Sequence, residues 1–62
     1  MRSVFSFAPT GYTRSSTVFY DFDCENFIVR FYSIGGTYSS ADDAHTTSRD
    51  VAIDLARDYV TF

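Results

Sequence analysis

Thr17-Val18-Phe19-Tyr20-Asp21-Phe22, then Asp23-Cys24-Glu25-Asn26, then Phe27-Ile28-Val29-Arg30-Phe31-Tyr32-Ser33-Ile34: two runs dense in β-branched and aromatic residues flank four polar ones. Runs of that composition suit a pleated, half-buried surface, and a polar gap of this length suits a hairpin. Alternation assigns the faces. Val18, Tyr20 and Phe22 share one side of the first strand, with Thr17, Phe19 and Asp21 on the other; Phe27, Val29 and Phe31 share one side of the second, with Ile28, Arg30, Tyr32 and Ile34 opposite.

Outward from this hairpin the chain is punctuated clearly. Residues 3–8 alternate Phe5 and Phe7 with small residues and read as a further strand, stopped by Pro9-Thr10-Gly11; Tyr12 to Ser16 reads as a loop. Gly35-Gly36 supplies positive φ for ending the strongest strand or for a short return at Thr37–Ser39. Residues 39–46 are small and polar, with Asp42-Asp43 among them, and read as a loop. Thr47-Ser48-Arg49-Asp50 has the form of a capping box with Thr47 as the cap. Val51, Ala52, Leu55, Ala56 and Tyr59 then recur at helical spacing, widened by Ile53 and Val60, which predicts a helix over residues 48–60. The expected fold is α+β: a three-stranded, possibly four-stranded, antiparallel meander followed by one C-terminal helix on one sheet face, in a single domain over residues 1–62.

Size sharpens the question of stability. A chain of 62 residues buries only about 60% of its unfolded surface, and chains this small commonly lean on a disulfide, a metal or a partner. Cys24 is the single cysteine and His45 the single histidine, which excludes an internal disulfide and leaves too few ligands for a zinc site. Burial of the seven Phe and five Tyr, or association, must then contribute. A helix of about 13 residues is roughly 20 Å long and covers one face of a small sheet. The other face keeps large side chains of its own. An exposed aromatic patch formed by Phe19, Tyr32 and Phe31 is therefore expected as an interface, with a second copy of the chain as one partner. The alternative is that the loops at 9–16 and 37–46 fold over that face.

Charge directs the second expectation. Five Arg (Arg2, Arg14, Arg30, Arg49, Arg57), no Lys, seven Asp and one Glu give a net charge of −3. That balance disfavours phosphate-backbone binding, although Arg30 beside exposed rings keeps single-strand nucleic acid as a minor reading. It favours a basic protein partner. Asp50, Asp54 and Asp58 recur every four residues along one helix edge, a like-charged row that weakens the helix slightly. Asp21, Asp23, Glu25, Asp42 and Asp43 extend the acidic set, and a solvated surface is the plain alternative. No catalytic residue, metal ligand set or cofactor motif is expected: His45 lies in a small-residue stretch, and the acidic neighbours of Cys24 raise a thiol pKa rather than activate it. The N-terminal Met1-Arg2-Ser3-Val4-Phe5 enters a strand directly, with no apolar run of leader or membrane-spanning length, so a complete cytoplasmic product is expected.

With the meander Thr17–Ile34, its Asp21-Phe22-Asp23 edge and the acidic helix Ser48–Val60 in view, the chain resembles, in architecture, small phage-encoded host-takeover proteins such as anti-CRISPR inhibitors. The resemblance implies a non-enzymatic inhibitor acting in the host cytoplasm, an acidic mimic of DNA that blocks a nucleic-acid-processing enzyme. It includes no motif from which individual site residues follow.

Overall fold

A computed structural model describes residues 1–8, 14–33 and 42–61. Strands β1 (Arg2–Phe7), β2 (Ser15–Asp21), β3 (Asn26–Tyr32) and β4 (Ala44–Thr46) form one antiparallel sheet in the order β1-β2-β3-β4, and helix α1 (Arg49–Thr61) packs on one face of it. The α+β meander with a C-terminal helix is therefore the fold. The expected stop at Pro9–Gly11 and the return at Thr37–Ser39 lie outside the described residues.

Register fixes which side chains share a face. On the helix side, Arg2, Tyr20, Phe27 and Thr46 make one cross-strand row; Phe5, Val18, Val29 and Ala44 make the next; Phe7, Ser16 and Phe31 make a third. The helix thus covers the face of Val18 and Tyr20. It runs in the direction of β3, since Ala52 meets Val18 and Val29, whereas Tyr59 meets Phe31 and Tyr32 further along the strand.

The centre of the core consists of small residues. Val18, Val29, Ala52, Ala56 and Val60 are 0–1% exposed, whereas Phe7, Phe27 and Phe31 are only partly buried and pack around them. Ring burial, one of the two contributions expected to stabilise so small a chain, is thus partial at these three residues. Alanines at 52 and 56 let the helix backbone approach the sheet closely, and the space that remains admits valine but not a ring. The rings occupy the periphery, where long side chains reach past the helix. At the same contact the Ser16 hydroxyl, 1% exposed, donates a 2.8 Å hydrogen bond to the Ala56 carbonyl. A buried hydroxyl needs such a partner.

Two local expectations change at the helix. The cap is Ser48 rather than Thr47: Ser48 Oγ accepts from Val51 N–H at 3.3 Å, and the Thr46 hydroxyl in turn accepts from Ser48 N–H at 3.1 Å. Strand pairing holds the chain extended through Thr46, so the helix begins one residue later than a Thr47 cap would set it, and Asp50 falls at the second helical position, where no capping box forms. The buried line is Ala52, Ala56 and Val60, which leaves Val51 at 46% and Leu55 at 40% exposure. The third change is β4 itself, in a stretch that reads as loop. Ala44, His45 and Thr46 have little strand propensity of their own and extend because the open edge of β3 offers hydrogen bonds.

The hairpin turn also carries strain. Asp21 Oδ1 accepts from the backbone N–H of Asp23 at 3.0 Å and of Cys24 at 3.5 Å, and Glu25 closes the turn in the left-handed region at φ 53°. Glycine adopts that conformation without steric penalty. Glu25→Gly is accordingly expected to raise stability by about 0.5–1 kcal/mol, measured by urea unfolding; a loss would show that the Glu25 side chain itself supports the turn. At the helix contact, Ser16→Ala should cost about 1 kcal/mol and Ala56→Leu about 1–3 kcal/mol. Thermal unfolding would register each kilocalorie as about 4–8 °C, and a neutral Ala56→Leu would contradict the close approach.

Candidate functional site

The acidic residues separate into two populations. Asp50, Asp54 and Asp58 are exposed, and each precedes a buried residue (Ala52, Ala56, Val60) by two positions, or about 200° of helical rotation. The row therefore faces away from the sheet. Only Asp54 in it is paired among the described residues, with Arg57 at 2.8 Å, an exposed contact of little energetic weight. Asp23, Glu25 and Asp42 are also exposed. Asp21 and Asp43 have structural engagements: Asp21 organises the turn, and Asp43, with a side chain 6% exposed, forms a 3.5 Å ion pair with Arg30. The turn and Asp50 lie at the same end of the molecule, because Tyr20, Phe27 and Thr46 form the row beside both.

The three aromatic residues expected at an interface do not share a face. Phe31 is on the helix side, its ring centroid 4.8 Å from that of Tyr59. Phe19 and Tyr32 are on the opposite side and are half-buried, with the Arg30 guanidinium 5.1 Å from the Phe19 ring centroid. Ile28, beside Phe19 in the register, is 7% exposed. On the face away from the helix Ile28 is buried, Phe19 and Tyr32 are half-buried, and Arg30 pairs with Asp43. Among the described residues the exposed rings are Phe5, at 42%, and Phe22, at 61%.

Phe22 belongs to a cleft that sequence reasoning missed. About 420 Å³ in volume, it lies at the start of α1 and is lined by Arg2, Val4, Tyr20, Phe22, Phe27 and Arg49, among others. Tyr20 meets Phe22 and Phe27 edge-on, at centroid distances of 5.1 and 5.0 Å. Arg2 reaches this face because β1 carries a bulge: the register runs Ser3↔Phe19 and then Phe5↔Val18, with Val4 as the extra residue. Strict alternation from Phe5 would turn Arg2 to the opposite side. Isolated sequence shows no bulge, so the meeting of Arg2 with Arg49 had no signal there.

His45 is exposed in β4, and no group of metal-ligating side chains occurs among the described residues. Cys24 is exposed in the turn, and its thiol pKa is raised, first by the Asp21 charge, then by desolvation, a hydrogen bond to Asp21 and the charge of Asp23. No helix in the described residues is long and apolar enough to cross a membrane. Compared with protein-family models, curated proteins and solved structures, the chain matches none.

The thiol offers a direct test of the turn geometry. Asp21→Asn keeps the oxygen that accepts both backbone N–H groups and removes the charge. It should lower the Cys24 pKa towards the ordinary value of about 8.5 and speed alkylation by iodoacetamide at mildly alkaline pH. An unchanged rate against pH would remove Asp21 as the dominant influence.

Proposed function

We propose that the chain is a small, non-enzymatic interaction protein that binds and blocks a larger basic partner, such as a nucleic-acid-processing enzyme, through exposed carboxylates. The observation that carries this reading is the outward row Asp50, Asp54 and Asp58, in which one carboxylate alone has a cationic partner among the described residues. Exposed Asp23 and Glu25 lie at the same end as Asp50 and extend the negative surface around the helix start, and Asp42 adds a further exposed carboxylate. Asp21 and Asp43 are assigned to holding the fold.

Such a surface suits a partner that binds phosphate backbones, because carboxylates at regular spacing meet the same guanidinium and ammonium groups. The architectural resemblance to phage-encoded inhibitors is compatible with this role. Two members of the row contribute little to folding, whereas Asp50, in the first turn, gains modestly from the helix dipole. Asp54 is held only by an exposed pair, and Asp58 lies towards the helix C-terminus, where negative charge is unfavourable.

The test compares the wild-type chain with the Asp50→Asn/Asp54→Asn/Asp58→Asn variant as baits in extracts of the native host. The expected result is capture of a basic protein by wild type, weakened by salt and absent with the variant, while the two unfold within about 1 kcal/mol of each other. Equal capture by both baits would reduce the row to a solvated face.

A further inference from the structure

The five arginines fall into two groups. Arg14 stacks over Tyr59 at 5.0 Å, Arg30 pairs with Asp43, and Arg57 pairs with Asp54. Arg2 and Arg49 form no ion pair among the described residues, and both line the cleft at the start of α1. They come from distant parts of the chain and line one cleft because the Val4 bulge turns Arg2 onto the helix side. Arg49 sits at the first helical position, the end at which the helix dipole disfavours a cation. A bound anion would reverse that penalty.

Three of the side chains that line the cleft with these arginines are aromatic. Tyr20, Phe22 and Phe27 form an edge-to-face cluster, and Phe22 remains 61% exposed, which leaves much of its surface open to a ligand. The cleft volume of about 420 Å³ is within the range of small-ligand sites. Among the described residues no carboxylate lines it: Asp50 and the acidic turn lie close by but outside the lining.

From these features we propose that the cleft binds a nucleoside monophosphate, with the base against Phe22 and Tyr20 and the phosphate held between Arg2 and Arg49. Two guanidinium groups match a doubly charged phosphate, which accepts forked hydrogen bonds from each. A stacked base supplies the planar apolar part. A free nucleotide is favoured over a strand of nucleic acid, because Asp23 and Glu25 beside the cleft and the net charge of −3 repel additional phosphates. The lining of this site shares no residue with the row Asp50, Asp54 and Asp58, and its test needs no knowledge of the proposed partner.

The test is a titration of the ¹⁵N-labelled protein with adenosine 5′-monophosphate to about 10 mM, since a single small site of this openness is expected to bind in the millimolar range or tighter. Backbone amides of Val4, Phe22, Phe27 and Arg49 should shift together. Arg2→Gln and Arg49→Gln should each weaken binding about tenfold. Phe22→Ala should weaken it several-fold without unfolding the protein, because the ring is exposed. Adenosine alone and inorganic phosphate alone should each bind more weakly than the nucleotide. The proposal is overturned by the absence of shifts, by unchanged affinity in both arginine variants, or by inorganic phosphate matching the nucleotide. Tighter binding of a single-stranded oligonucleotide than of the monophosphate would also overturn it and reassign the cleft to a polymer.

Discussion

The close approach of α1 to the sheet at Ala52 and Ala56 is the constraint from which the rest of the structure follows. Those alanines bring helix backbone against Val18 and Val29 and place the Ala56 carbonyl within reach of the Ser16 hydroxyl. A larger residue at either position would lift the helix, break that hydrogen bond and open the valine layer to water. With the centre this thin, the rings can only surround it. The same geometry sets Tyr59 against Phe31 and lets its hydroxyl donate to the Tyr32 carbonyl at 3.1 Å, anchoring the second half of the helix.

This distribution explains what the amino-acid sequence could and could not convey. The hairpin was legible from Thr17 to Tyr32 because its alternation and its residue types agree, whereas Ser15 and Ser16, which read as loop, belong to β2; the helix was legible because apolar residues recur at its period. The buried edge of that helix was harder to assign. Val51 and Leu55 are more hydrophobic than Ala52 and Ala56, yet the smaller pair faces the sheet, since proximity and not hydrophobicity decides the contact. The β4 strand was illegible for a different reason: Ala44, His45 and Thr46 are ordered by the neighbouring strand and not by themselves. The cap at Ser48 depends likewise on where that strand stops.

The candidate sites divide along the same line. The acidic helix row needs only a period and was visible before any tertiary information. The cleft needs a bulge at Val4, a sheet register and a helix start to coincide, and those are properties of the folded chain. Asp21 and Asp43, alike in sequence to the other carboxylates, are distinguished only by what they touch: backbone N–H groups in one case and Arg30 in the other. Negative charge is thereby divided between holding the fold and facing outward.

The bulge has a consequence for association as well. In the order β1-β2-β3-β4 the outer strands are β1 and β4, and an aromatic-rich sheet with two straight outer strands would invite further strands to add to it. Neither border offers a good template. The extra residue at Val4 interrupts the hydrogen-bonding rhythm of β1, and β4 is three residues long, immediately preceded by the ion-paired Asp43. Among the described strands, lateral growth into longer sheets is disfavoured at both sides by backbone geometry and brevity. The exposed and half-buried rings of the described sheet thus sit between strands whose backbones are poorly suited to templating another sheet.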